Sequence, residues 1–315
     1  MSVTVIGGGV MGLCVATELR SRGMPAKVFD KEPGPQACSW WAGGMLAPWC
    51  EGESAGEAVT RHGLGAADWW EAQGVPVTRR GTLVVSLSRD AGALARFARR
   101  SGRHRMLDAN GIGALEPDLV SRFARALFFA DEAHLSPRQA LSVLSERLSR
   151  TETAFDTLID CRGLSARDAL RDLRGVRGEM VVIRCPEIAL SRPVRLLHPR
   201  MPLYVVPRGE GVFMLGATML ESDRRGPPTA RAVLELLSAA FALHPAFADA
   251  EVLELGADAR PAFPDNLPRI RRLGGVIHAN GLYRHGFLLA PAVARMVADH
   301  LQHQTRPEFM DADHD

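Results

Sequence analysis

The chain has 315 residues, 46% of them hydrophobic and 23% charged, with a formal net charge of +2 at pH 7. That is enough apolar material for about two domains with full cores, while no uncharged apolar run reaches the ~18 residues of a bilayer span, so no membrane segment is expected. A charge so near balance carries no footprint for nucleic acid, and the single basic cluster, Arg96, Arg99, Arg100, Arg103 and Arg105, reads as a solvated face.

Five cysteines, Cys14, Cys38, Cys50, Cys161 and Cys185, include no C-x-x-C pair. An odd, scattered set argues against a disulfide framework and suits a reducing cytoplasm. Ten histidines show neither H-E-x-x-H nor Cys/His ligand spacing, so no metal is expected.

The N-terminal run Val3-Thr4-Val5-Ile6 suits a buried parallel strand, and Gly7, Gly9 and Gly12 follow in G-x-G-x-x-G spacing. The first glycine permits the tight turn, the second lets backbone approach a pyrophosphate, and the third lets a helix pack on the strand. Leu13, Val15, Ala16 and Leu19 form an apolar helical face, Gly23 ends it, and Ala26 to Asp30 reads as a second strand ending in an acid placed for a ribose. The alternative, a secretory leader, lacks a basic start, since the first Lys or Arg is Arg20.

Past Pro33-Gly34-Pro35 comes Cys38-Ser39-Trp40-Trp41-Ala42-Gly43-Gly44-Met45-Leu46-Ala47-Pro48, dense in small residues, as backbone pressed on a flat ligand would be. With the glycine fingerprint it resembles the S-x-A-A-G-M-L-A-P stretch of the D-amino-acid oxidase-like flavoproteins, and among them the glycine oxidases that feed thiazole synthesis in thiamine biosynthesis. Trp40 and Trp41 stand where small residues are common in that family. The closing block, Gly281-Leu282-Tyr283-Arg284-His285-Gly286-Phe287-Leu288-Leu289-Ala290-Pro291, resembles the family's G-x-x-R-x-G-[IF]-L-L-A-P, read as a strand, a turn and a helix with Pro in its first turn.

Between these ends a helix is expected over 57–75, a strand over 81–87, a helix over 91–101, a short helix from 107 to about 116, and a strand over 126–129. A helix then starts at Pro137 after Ser136. Strands follow over 156–163, 178–184, 202–208 and 211–218, the last two joined at Gly209-Glu210. An amphipathic helix spans 229–243, facing inward with Val233, Leu236, Leu237 and Phe241, and a strand covers 252–261. Met219 reads as core, and the acidic stretch 308–315 as a disordered tail.

The resemblance implies an α/β plus α+β architecture: a Rossmann-like FAD-binding domain (1–80, 136–178, 263–307) with a discontinuous antiparallel-sheet substrate domain (81–135, 179–262). It carries noncovalent FAD contacts to Gly7, Gly9, Val10, Met11, Gly12, Asp30, Lys31, Ser39, Gly43, Gly44, Met45, Gly163, Leu282, Tyr283, Arg284, His285, Gly286, Phe287 and Leu288. It assigns Arg260 to a substrate carboxylate, Tyr204 as co-donor and Arg284 to the pocket wall. The structural alternative for Arg260 is an ion pair with Asp258. The family's extra strand after the helix at 137 is missing, only Thr151 to Phe155 standing in its place, which removes a backbone contact to adenine and predicts weaker FAD retention unless a neighbouring segment fills the gap.

The implied activity is oxidation of glycine to its imine and glyoxylate, with oxygen reduced to hydrogen peroxide and dehydroglycine passed to thiazole synthase. Sarcosine, another small amine or D-amino acids as substrate, and a binding protein that has lost turnover, stay open. Relatives are often tetrameric, so a homo-oligomer is compatible with the resemblance.

Overall fold

The computed structural model describes residues 2–30, 34–149, 157–198 and 200–311. Lys31 and the 151–155 stretch therefore lie outside the described residues.

Along the chain, β1 (Val3–Ile6) runs into α1 (Val10–Ser21), and β2 (Ala26–Phe29) returns beside it. β3 (Met45–Leu46) precedes α2 (Pro48–Ala55), α3 (Glu57–Gly63), α4 (Ala66–Ala72), β4 (Val77–Thr78) and β5 (Thr82–Val85). Next come α5 (Ala91–Arg100), β6 (Arg105–Asp108), α6 (Ala109–Leu115), β7 (Arg125–Phe129), β8 (Ala133–Leu135) and α7 (Pro137–Glu146). β9 (Thr157–Asp160), β10 (Arg174–Arg184), β11 (Val194–Leu196), β12 (Leu203–Gly209), β13 (Val212–Gly216) and β14 (Leu220–Glu221) follow. α8 (Ala230–Leu243), β15 (Glu251–Ala262), β16 (Arg269–Leu273), β17 (Val276–Asn280) and α9 (Gly286–His303) complete it.

One sheet has the order β16-β17-β9-β1-β2, with β1 lying between β9 and β2 and parallel to both. It joins the two ends of the sequence, and α1 packs on α9 over a core that includes Val5, Leu13, Val15, Leu289, Val293 and Val297. The nine-stranded sheet runs β14-β10-β13-β12-β11-β5-β7-β6, with β15 paired to β10. It is antiparallel except where β11 lies parallel to β5. A three-stranded sheet, β3-β8-β4, sits between them in the chain order. No helix among the described residues is long and apolar enough to cross a membrane.

Several expectations are corrected. The helix expected over 57–75 is two helices, broken at Leu64-Gly65. α8 buries Ala232, Leu236, Ala239, Ala240 and Leu243, whereas Phe241 is 53% exposed. The small alanines let α8 lie close on the sheet, so size rather than hydrophobicity chose the face.

Pro291 is not in the first turn of α9 but inside it. Proline there leaves the carbonyl four residues earlier without its helical donor. That carbonyl, Phe287 O, accepts instead from the indole Nε1 of buried Trp70 at 2.8 Å.

The tail is packed as far as Asp311. Phe309 is buried and its carbonyl accepts from Ile270 N (2.8 Å), while Glu308 pairs with Arg61 and His62 and Asp311 with Arg269 and Arg271. One aromatic anchor and neighbouring arginines hold what composition alone suggests is loose.

Replacing Leu236 with Ala should cost about 2–5 kcal/mol in urea unfolding, the usual range for a buried leucine. Phe241→Ser should stay within about 0.5 kcal/mol. Equal losses would mean that α8 presents the other face.

Candidate active site

The first turn is built as its spacing requires. Gly7 has φ +111°, outside the range of L side chains, and a Cβ on Gly12 would lie 1.8 Å from the Gly7 carbonyl oxygen. Helix α1 can therefore start directly over the strand end, with no acidic residue in its first turn. Its N-terminal N–H groups and dipole favour an anion. Val10 N donates to Ser39 Oγ (3.0 Å), and Gly8 N to Asp30 Oδ2 (2.5 Å), so both the loop at 39 and the acid ending β2 are drawn to this turn.

The turn opens into a cavity of about 910 Å³, at the upper end of the roughly 300–1,000 Å³ of ligand pockets. Gly7, Gly9, Val10, Met11, Asp30, Ser39, Gly43, Gly44, Met45, Gly163 and the run from Leu282 to Leu288 line it, as do Tyr204, Arg260 and Arg284. Gly12 does not, because its work is to let α1 approach β1. The glycine loop is held to the large sheet by Arg208, whose guanidinium donates to the carbonyls of Leu135 (3.0 Å) and Gly43 (2.8 Å). Burial lowers the pKa of Arg208 to about 10.

The closing turn is tied in from both sides. Asn280 Nδ2 donates to Gly163 O (2.9 Å), and Tyr283 N donates to Pro261 O (2.9 Å), beside Arg260 on β15. Helix α9 then begins at Gly286, again without an acid in its first turn, and its first residues, Gly286 to Leu288, line the cavity, where the unpaired N–H groups of a helix start lie.

Arg260 lies over Gly178, where a Cβ would come within 2.1 Å of its Nη2. It is not paired with Asp258. That carboxylate is taken by Arg225 in a two-pronged contact (Nε–Oδ1 2.7 Å, Nη2–Oδ2 2.9 Å), and Arg260 donates only to the carbonyl of Thr218 (3.2 Å) among the described residues. Its remaining donors can grip a planar anion. The Tyr204 ring packs between Gly43 and Gly216, and burial raises its pKa, keeping the phenol protonated as a donor.

Arg284 is occupied differently. Its Nε lies 2.7 Å from Glu51 Oε2 and its Nη2 donates to Ser54 Oγ (2.6 Å), so helix α2 holds it against the wall. Burial works to raise the pKa of Glu51, yet Arg284, then His285 and Arg195, bring it down to about 2. His285, 3.4 Å from Glu51, is pushed by burial to about 4 and is neutral at physiological pH. Met219 is 48% exposed rather than core, with its sulfur 3.4 Å from Arg284 Nη1.

Sequence reading alone passed over Glu51, Arg195, Arg208 and Arg225. Helix α2 was legible in Pro48, which takes its first position, but Gly52 and Gly56 obscured it. Arg195 sits on a three-residue strand too short to show alternation.

Fold and cavity together define a flavin-dinucleotide oxidoreductase, and the comparisons agree. The profile of the family described as "DAO: FAD dependent oxidoreductase" matches residues 2–151 and 142–300. A Rhizobium etli protein named as a thiamine biosynthesis oxidoreductase, ThiO, is 52% identical over 98% of this chain and 99% of its own. The glycine oxidase of Pseudomonas aeruginosa is 27% identical over 94% of this chain and 93% of its own. The crystal structure of glycine oxidase from Geobacillus kaustophilus superposes with a TM-score of 0.81 at 21% identity, covering 98% of this chain and 96% of that one.

The chain belongs to the DAO family of FAD-dependent oxidoreductases. FAD is its cofactor, and the residues present suit it: two helix N-termini free of acid face one cavity, and the strand-to-helix turn has no room for side chains.

Behind the site, Glu132 Oε1 accepts from Cys50 N (2.7 Å) in the first turn of α2, and burial raises this carboxyl's pKa to about 7. Being above the unfolded value, its proton-linked stabilisation is whole below about pH 4.5 and is lost as pH rises through 7. Wild type should therefore lose stability between pH 5 and pH 8.5 relative to Glu132→Gln, by on the order of 3 kcal/mol. Parallel urea-midpoint curves for the two proteins would show that the carboxyl ionises freely in the fold.

Proposed function

We propose that this protein oxidises the C–N bond of glycine, giving the imine and, after hydrolysis, glyoxylate and ammonia, with oxygen reduced to hydrogen peroxide. The observation that carries the reading is the state of Arg260: a guanidinium facing the cavity, released from Asp258 by Arg225, with the Tyr204 phenol on the same wall. Two parallel charge-assisted hydrogen bonds from such a fork fit an α-carboxylate, and the phenol adds a third donor. The names of the similar proteins support glycine as substrate and thiamine biosynthesis as the setting.

In this reading the parallel-sheet portion (1–80, 136–178, 263–307) holds FAD and the rest holds the substrate. Gly7, Gly9, Val10, Met11, Asp30 and Ser39 take the dinucleotide end. Gly43, Gly44, Met45, Gly163 and the 282–288 turn border the ring system, with the N-terminus of α9 favouring negative charge there. FAD supplies the two-electron acceptor. The protein's part is to orient: Arg260 and Tyr204 fix the carboxylate, which points the amino group and α-carbon at the cofactor, and Arg284, immobilised by Glu51, closes the wall. His285, neutral above about pH 4, adds no charge that would repel an ammonium. The imine would pass to a thiazole synthase in a reducing cytoplasm, where the five free thiols suit the chain.

Anaerobic mixing of the yellow holoenzyme with glycine, sarcosine and D-alanine tests this, with glycine expected to bleach the flavin most efficiently. No bleaching by any amine would mark a binding protein without turnover. Arg260→Ala should lower kcat/KM for glycine about 10–100-fold, the worth of charged hydrogen bonds of ~1.5–3 kcal/mol. An unchanged apparent affinity would remove Arg260 from the carboxylate.

A further inference from the structure

We infer that Arg195 forms a second anion subsite beside Tyr204, so that the pocket also takes small amino dicarboxylates. The inference rests on the reading of Arg260 as the α-carboxylate site and extends it to the rest of the substrate.

Five guanidinia line the cavity: Arg162, Arg195, Arg225, Arg260 and Arg284. Arg162 is held by Asp160 (2.7 Å) and Asp168 (2.9 Å), Arg225 by Asp258, and Arg284 by Glu51 at 2.7 Å. Asp30 accepts from Gly8 N at the dinucleotide end and is not available here. Arg260 and Arg195 are left. Arg260 awaits the α-carboxylate, and Arg195 has only Glu51, at 3.6 Å, which Arg284 already holds more closely. A single carboxylate cannot neutralise two guanidinia.

The Arg195 side chain is only 13% exposed, and its Nη1 is buried without a hydrogen-bond partner among the described residues. An orphaned, charged donor is costly to bury, and a ligand carboxylate in the cavity would satisfy it. The group is also held ready. Arg195 is the direct cross-strand partner of Tyr204 in the β11–β12 register, which puts both side chains on one face, and its guanidinium lies 5.2 Å from the centre of the Phe97 ring. A substrate with its α-carboxylate on Arg260 and Tyr204 would therefore present a second acidic arm to Arg195. A neutral arm of equal size would gain nothing there.

The chemistry balances with the established cofactor and oxygen. One C–H and one N–H of the amine are lost, two electrons and two protons reach oxygen as peroxide, and water adds across the resulting C=N. Iminodiacetate, oxygen and water thus give glycine, glyoxylate and hydrogen peroxide. D-aspartate gives oxaloacetate, ammonia and hydrogen peroxide. The first places the acid on the nitrogen arm and the second on the carbon arm, so the pair reports which direction Arg195 serves.

The test is peroxide formation by the holoenzyme with glycine, iminodiacetate and its neutral counterpart sarcosine, and D-aspartate and its neutral counterpart D-alanine. At least one diacid should match or exceed its neutral counterpart in kcat/KM. Arg195→Met, which keeps an apolar stem over Phe97, should lower that diacid at least tenfold more than the neutral one, and Arg195→Lys should restore part of the difference. Glycine oxidised while both diacids are neither turned over nor competitive inhibitors would overturn the subsite and leave the glycine reading standing. Loss of kcat/KM by the same factor for every substrate in Arg195→Met would also overturn it, assigning Arg195 to the cofactor or the fold. Should that variant lose its flavin, the diacid-to-neutral ratio in wild type and Arg195→Lys decides. No bleaching by any amine would instead reject the reading beneath it.

Discussion

Asp258 can fully satisfy one guanidinium, and it is bound at both oxygens by Arg225. The proposed grip on the α-carboxylate follows from that pairing. Were Asp258 joined to Arg260, two residues along the same strand, that position would hold a neutral pair and Arg260 would have no charge to spare for an α-carboxylate. Because Arg225 arrives from the segment after β14, it is the path of that segment that keeps Arg260 available. The path is set from inside the protein: Arg177, 2% exposed, donates to the carbonyls of Arg224, Gly226 and Pro227, and Glu179, wholly buried, accepts from Thr229 N and from the Thr218 hydroxyl. Thr218 in turn offers its carbonyl to Arg260. Arg177 and Glu179 also pair with each other at 3.1 Å; a buried ion pair is weak evidence for net stability, but here it positions a chain segment.

The same economy of donors joins the two halves of the cofactor site. Arg208 takes carbonyls from the glycine loop and from Leu135, binding large sheet and loop together. Trp70 takes the carbonyl that Pro291 frees in α9, which lets a proline stand inside a helix whose N-terminus must face the cavity. In both cases a side-chain donor and a backbone carbonyl are spent on alignment.

Local pattern accounted for the beginning and end of the chain. β1, the glycine turn, α1 and β2 follow from a β-branched run, three glycines and a helical repeat, all within thirty residues, and α9 from its glycine and apolar periodicity. Strands β12 and β13 were legible for the same reason, their pairing being closed by a short turn. What failed were features decided by distant partners: the exposure of Phe241 and Met219 and the packing of Phe309 against β16. Each depends on which surface happens to lie opposite, and that is not encoded in a residue's neighbours.

Sequence by itself determined that a dinucleotide turn, a small-residue loop and a C-terminal turn exist, because glycine and proline restrict the backbone wherever they stand. It also supplied Tyr204, Arg260 and Arg284 as candidates. Only the tertiary structure decided which arginines were left unneutralised, since an ion pair depends on a few ångströms between residues as far apart as Glu51 and Arg284, or Arg225 and Asp258. Charge is a property of a residue, but free charge is a property of the fold.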